Sequence, residues 1–179
     1  MANKPVIIIG TGLAGYSTAK EFRKLDTETP PQIYSADSGY AYSKPMLSNA
    51  LGRGQAPMDL PQADATKMAE TLNATIEPNT TVNAISPDTN TIQIGDQWVE
   101  YQSLVLALGA DQIQLPFKGD ATDEVVSIND LDEYAKFREL ADKAKHIGII
   151  GGGLIGSEFA NDLILGEYSV DVIEPIEHP

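Results

Sequence analysis

Two glycine triplets stand at one spacing in this chain: Gly10, Gly12 and Gly15, and again Gly151, Gly153 and Gly156. Each follows an apolar, β-branched run and precedes a helix-forming stretch, the context that gives a G-x-G-x-x-G pattern its chemistry. The first glycine permits a tight turn out of a strand. The second lets a pyrophosphate approach the backbone, and the third lets the helix pack on the sheet. Leu13 and Ala14 open the first helix, Leu154 and Ile155 the second. At such a helix start, free N–H groups and the dipole favour a diphosphate. A carboxylate roughly 20 positions on takes the ribose hydroxyls. Asp37, closing "QIYSAD", is the first candidate and Glu174, closing "VDVIE", the second. One such motif alone is weak, because glycine clusters also make ordinary turns; two, each with its acid, are stronger.

Glu174 would accept from an adenosine 2′-hydroxyl and repel a 2′-phosphate. No Arg or Lys follows it, so NAD is favoured over NADP. Two dinucleotide sites in one chain are explained by hydride transfer between a nicotinamide and a flavin, one cofactor staying bound while the other visits.

The elements that must position these residues follow from pattern. Val6 to Ile9 reads as a buried parallel strand, followed by a helix from about Leu13 to Leu25 and a second strand in "PPQIYSAD". A short helix is expected after Pro45, with breaks at Gly52 and Gly54, then a helical stretch in "ADATKMAETLNA". "ATIEP", "TTVNAIS", "NTIQIG" and "QWVEY" suggest an antiparallel meander that includes Trp98 as a structural residue. "SLVLALGA" reads as another buried strand. Polar "DQIQLPFKGDATDE" marks a boundary, which places one domain at 1–112 and a second at 113–179. The second opens with an amphipathic helix, Asn129 as its N-cap and Leu131, Tyr134, Phe137 and Leu140 inward. A buried strand, a helix closed by Gly166 and a further strand follow.

Composition removes other chemistries. The formal net charge of −14 argues against nucleic acid and against an anionic membrane surface. No apolar run is long enough to cross a bilayer, and "VIIIG" is too short for a secretory signal, so a cytoplasmic protein is expected. Cysteine is absent, which excludes disulfides, thiolate catalysis and Cys-ligated metal within these residues. His146 and His178 do not make a metal site.

With both glycine motifs in place, the chain resembles the FAD-dependent pyridine-nucleotide oxidoreductases that share a fold with glutathione reductase. "YSKPMLSNAL" (Tyr42 to Leu51) and "GGGLIGSEFANDL" are similar to segments of the rubredoxin and flavorubredoxin reductases in that family. The resemblance implies an α/β, Rossmann-like FAD/NAD(P)-binding fold: a three-layer β/β/α FAD domain and the start of a second Rossmann NAD domain. It implies that Gly10, Gly12 and Gly15 contact the FAD pyrophosphate, that Lys44 and Pro45 lie along the flavin, and that Val82 borders the adenine. It also implies that Ala107, Leu108 and Gly109 return to the cofactor, and Glu158 matches a family glutamate near the nicotinamide–flavin contact that is often paired with a basic side chain. Relatives that reduce ferredoxins carry a basic residue where this chain has Asn49. That leaves Lys44 as the basic partner. Without a cysteine pair, disulfide substrates are not expected.

The implied activity is an NADH-dependent reductase moving electrons from NADH through FAD to a rubredoxin or related small redox protein. Lys44 would favour negative charge on the reduced flavin, although a solvated surface lysine reads equally well. Glu158 reads equally as an acid stabilised by a helix N-terminus. Alternatives are a ferredoxin or flavorubredoxin reductase component, or a non-catalytic NADH-sensing flavoprotein. A flavin monooxygenase that oxidises ketones would need a Phe–Gly–His–Trp segment that is not found. The chain is expected to be an N-terminal part of a longer protein, binding FAD weakly and inactive alone.

Overall fold

The computed structural model describes residues 4–113 and 115–174; His178 and Pro179 lie outside them. In chain order the elements are β1 (Val6–Ile9), α1 (Leu13–Leu25), β2 (Gln32–Tyr34), α2 (Ala65–Leu72), β3 (Thr75–Glu77) and β4 (Val82–Ser86). There follow β5 (Thr91–Ile94), β6 (Gln97–Glu100), β7 (Ser103–Leu106), α3 (Leu131–Ala141), β8 (His146–Ile150), α4 (Leu154–Leu165) and β9 (Ser169–Ile173). Short 3-10 turns occupy Lys44–Ser48, Pro57–Asp59 and Thr122–Glu124. The chain divides into two compact units: Met1–Tyr42 with Pro61–Asp111, and Ser43–Leu60 with Gln112–Pro179.

In the first unit, among the described residues, β3, β2, β1 and β7 pair in that order, each pair parallel. Alternation along the strands makes two cores. Ile8 and Ile33 point to one face, where Tyr16 and Ala19 of α1 and Met68 and Leu72 of α2 cover them. Ile7, Ile9 and Tyr34 point to the other, against Ile92 of β5 and Tyr101. The antiparallel β4–β5–β6 sheet supplies that second cover, so the layers are β/β/α in a Rossmann-like α/β fold. The expected meander loses its first member. Thr75–Glu77 pairs parallel with β2, because α2 provides the crossover that a parallel connection requires and Asn73, at φ 44°, turns the chain back. Nor is β7 fully buried. It ends the strand order, with Leu106 exposed, and Trp98 of β6 is about half exposed.

The second unit pairs β8 and β9 in parallel with α4 packed on them. β8 alternates between exposed and half-buried residues, unlike the buried strand expected, since among the described residues it has one partner strand. Leu131, Tyr134 and Phe137 of α3 are buried as expected, and Phe137 meets Phe159 of α4 edge-on at 6.4 Å. Leu140 is exposed instead; a period of 3.6 carries the buried stripe on to Ala141. The N-cap is Asp130, whose side chain accepts the Glu133 N–H at 2.7 Å, while the neighbouring Asn129 N–H donates to the Glu133 carboxylate at 2.6 Å. Gly166 caps α4 at φ −84°, and the left-handed turn falls on Glu167.

Segment 43–60, placed in the first domain by sequence, groups with the second unit. Leu47, Ala50, Leu51 and Leu60 are buried, and the segment's 3-10 turns contact α3 and α4. The Arg138 guanidinium donates to the Gln55 carbonyl at 2.9 Å and to the Tyr134 hydroxyl at 3.0 Å.

Candidate functional site

At the first turn, Gly10 has φ 109° and its N–H donates to the Tyr34 carbonyl at 2.7 Å. A Cβ there would stand 2.2 Å from the Ala107 carbonyl oxygen, and a Cβ on Gly15 would stand 1.9 Å from the Gly10 carbonyl oxygen. Glycine is thus enforced at both positions by backbone. The Ala107 N–H bonds the Ile9 carbonyl at 2.8 Å, which brings "ALG" to the turn; Leu108 is exposed and Gly109 has φ 73°. Gly12 caps α1 without a side-chain acceptor, and Leu13 and Ala14 after it are exposed. By contrast α2 and α3 each spend an aspartate, Asp64 and Asp130, on their own first-turn N–H groups. The α1 donors remain for an anion.

Asp37 is held by side chains that the sequence did not single out. Its Oδ1 accepts the Gly39 N–H at 2.9 Å and lies 2.7 Å from the Ser35 hydroxyl and 2.9 Å from the Thr11 hydroxyl. Thr11 also reaches Ser35 at 2.8 Å, so its one proton serves one acceptor or the other. Thr11 and Ser35 are buried. The Tyr16 hydroxyl donates to the Gly39 carbonyl at 2.5 Å. Burial, then the charges of Asp37 and Asp64, push the Tyr16 phenol well above its ordinary pKa. A hydroxyl inside the glycine motif and another at the strand end were the signals available.

The second turn repeats the backbone. Gly151 has φ 107°, its N–H bonds the Ile173 carbonyl at 2.9 Å, and a Cβ on Gly156 would stand 1.9 Å from the Gly151 carbonyl oxygen. Gly153 caps α4 at φ −65°, ψ −174°, against −65°, −173° for Gly12, again with no side-chain acceptor. Leu154 and Ile155 after it are exposed. Glu174 follows β9 directly and accepts the Gly152 N–H at 2.6 Å. Tyr34 and Ile173 play equivalent parts, so Ser35 occupies the position matching Glu174. Asp37 lies two residues further on.

The remaining candidates are placed as follows. Lys44 Nζ donates to Asn129 Oδ1 at 2.6 Å, and Pro45, beside it, is exposed. Glu158 accepts from the Ser48 hydroxyl at 2.8 Å. Among the described residues no ion pair joins Lys44 to Glu158. Asn49 donates to the Pro45 carbonyl at 3.1 Å. Val82 opens β4 and packs against the Ile92–Tyr101 core. Among the described residues there is no cluster of His and acidic side chains suited to a metal, and no helix long and apolar enough to cross a membrane. Both glycine turns fit a dinucleotide diphosphate: backbone forbids a side chain at Gly15 and Gly156, while a Cβ at Gly12 or Gly153 would enter open space over uncapped N–H groups.

Comparison with known proteins agrees with that geometry. The chain is 48% identical over 172 residues to the rubredoxin-NAD(+) reductase of Alcanivorax borkumensis, covering 96% of this chain and 45% of that protein. It is 36% identical to the nitric oxide reductase FlRd-NAD(+) reductase of Vibrio vulnificus, over 96% of this chain and 45% of the relative. The crystal structure of NADH:rubredoxin oxidoreductase from Clostridium acetobutylicum superposes with a TM-score of 0.84 at 22% identity, covering 99% of this chain and 46% of that one, a likeness of fold. The chain therefore spans less than half the length of these relatives. The profile of the pyridine nucleotide-disulphide oxidoreductases matches residues 4–179, and the chain belongs to that family.

Proposed function

We propose that this chain carries the nucleotide-binding parts of an NADH-dependent flavoprotein reductase, with FAD at the Gly10 turn, NADH at the Gly151 turn and a rubredoxin-like carrier as electron acceptor. The observation that carries the reading is the repeated turn: the same backbone twice, each with uncapped helix donors and each with a carboxylate one to three residues past the adjoining strand. The names of the relatives support the acceptor. We further propose the domain limits 1–112 and 113–179 for the FAD and NAD parts.

The residues divide the work. The N–H groups opening α1, at Leu13 and Ala14, hold one diphosphate, and those at Leu154 and Ile155 the other. Asp37 takes ribose hydroxyls at the first site, where Val82 and Ala107 to Gly109 border the nucleotide. Glu174 accepts a 2′-hydroxyl and repels a 2′-phosphate. Lys44 favours developing negative charge, and Pro45 and Glu158 orient the reacting rings. Bound FAD would supply the redox chemistry, taking a hydride from NADH and passing electrons to the iron of the acceptor. The chain's own contribution is binding, orientation and charge, since its 179 residues hold no thiol.

Anaerobic stopped-flow on the full-length protein tests the reading. NADH should bleach a bound flavin faster than NADPH does, and rubredoxin should restore its colour. Absence of flavin, or no bleaching by NADH, would overturn it. The 36% identical relative favours a second reading within the same class, with a flavorubredoxin as acceptor. Reoxidation by that protein but not by rubredoxin would select it. Bleaching with no fast acceptor would mark a sensor.

A further inference from the structure

Asp162 is a buried carboxylate, 4% exposed, for which the proposed chemistry has no use. It lies on α4, and both its oxygens are engaged by consecutive backbone amides of segment 43–60. Oδ2 accepts the Leu51 N–H at 3.0 Å and Oδ1 the Gly52 N–H at 2.8 Å. These amides belong to an irregular stretch with no strand ladder to receive them, and buried amides need acceptors. The fit around them is close. A Cβ on Gly52 would stand 2.7 Å from Leu165 Cβ, and one on Gly166 would stand 1.7 Å from Leu51 Cδ2. A side chain at Gly166, whose own φ of −84° does not demand glycine, would have to displace the Leu51 methyl.

One turn earlier on α4, at the i−4 position, Glu158 accepts from Ser48 of the same segment. The helix therefore grips segment 43–60 at two levels: Glu158 on Ser48, and Asp162 on Leu51 and Gly52. Lys44 lies four residues before Ser48, tied to Asn129 at the start of α3.

We propose that Asp162 is a positioning residue: by anchoring the Leu51–Gly52 turn to α4 it fixes the register of Lys44–Ser48 against Glu158. This rests on the reading that Lys44 and Glu158 serve the flavin–nicotinamide contact. Asp162 itself need not touch either cofactor. A hydrophobic residue could cover the segment, but it could not fix its register by bonding two successive amides.

The test uses the full-length protein with Asp162→Asn, which keeps the shape but sets an NH2 group against one amide, together with Ser48→Ala. In the wild type, hydrogen exchange at Leu51 and Gly52 should be slow despite their irregular backbone. Asp162→Asn should speed exchange across residues 44–56, leave 6–34 unchanged, keep flavin content, and lower the limiting rate of NADH-driven bleaching about tenfold. The double variant should lose no more than Asp162→Asn alone, because both act through the register of one segment. Fast wild-type exchange at the two amides, an unaltered bleaching rate, or losses that multiply would each overturn the proposal. If Asp162→Asn does not fold, wild-type exchange and Ser48→Ala still decide. A wild type that does not bleach refutes the functional reading instead, and the exchange comparison then judges the anchor by itself.

Discussion

The turn at Gly10 and the turn at Gly151 share a backbone and differ in how they deliver an acid. Their first glycines have φ 109° and 107°, and their helix caps match to within 1° in ψ. At the second turn a long carboxylate on the residue directly after the strand reaches the Gly152 N–H. At the first, that position is Ser35, and the shorter Asp37 comes from beyond the strand end. It is steadied by two hydroxyls and by a loop amide that Tyr16 holds in place. A diphosphate constrains the backbone tightly, since it binds N–H groups. On the proposed reading, a ribose would ask only for a carboxylate in the right place, which leaves the acid's origin free to vary.

The largest effects should separate the two turns by what surrounds their first glycine. At Gly10→Ala the new methyl meets the Ala107 backbone at 2.2 Å, whereas at Gly151→Ala it meets nothing within 4 Å among the described residues. Both pay for positive φ, about 1–3 kcal/mol, and Gly10→Ala adds overpacking of about 1–3 kcal/mol. Urea unfolding should therefore show a loss of about 2–6 kcal/mol for Gly10→Ala, with loss of flavin, and about 1–3 kcal/mol for Gly151→Ala. Equal losses would mean that the return of Ala107 to the turn does not matter.

The acids should separate by nucleotide. Glu174→Gln removes a charge-assisted bond of about 1.5–3 kcal/mol, so NADH affinity should fall at least about tenfold, while NADPH affinity should rise as the repulsion on its 2′-phosphate is relieved. Asp37→Asn should weaken FAD retention and leave the NADH titration unchanged. If either variant weakened the other nucleotide, the assignment of cofactors to turns would be reversed.

A smaller effect probes the device peculiar to the first turn. Thr11→Val keeps the shape and deletes one hydroxyl beside Asp37, costing about 0.5–1.5 kcal/mol, or roughly two- to tenfold in FAD affinity. Thr11→Ser should restore it. Flavin titration of the apoprotein measures both.

Much of this was legible in the sequence, and the omissions share a cause. β1 and α1 fall where the β-branched run and the glycine triplet place them, because those signals are local. Glu174 was singled out because a β-branched run leads straight to it. Thr11 and Ser35 were not, because a hydroxyl becomes informative only when a fold brings residues 11, 35 and 37 together. The bonding partners of segment 43–60 were not legible either. They are about 80 to 110 positions further on, at Asn129, Arg138, Glu158 and Asp162, and no periodicity encodes that distance. β3 went to the meander because three residues cannot show by alternation whether their pairing is parallel. Leu140 was misplaced by carrying a three-residue step too far along a helix of period 3.6.

A last effect, comparable to that of Thr11 at neutral pH, belongs to Tyr16, and it shrinks with alkali. Its phenol is buried against Asp37 and Asp64, and Tyr34 is shifted in the same direction by burial and by Glu77. A phenol ionises near pH 10 in the unfolded chain and higher in the folded one. Between those values the folded state holds more protons, so stability falls as pH rises. The contribution is complete below about pH 10 and is lost progressively above it. Tyr16→Phe gives up the bond to the Gly39 carbonyl, about 1 kcal/mol at pH 7. It should also flatten the alkaline decline, which urea midpoints at pH values on either side of about 10 would read. Because this hydroxyl holds the loop that carries Asp37, FAD affinity should fall with it, while NADH affinity should not. Loss of both would mean that the two turns are less independent than their separate acids suggest.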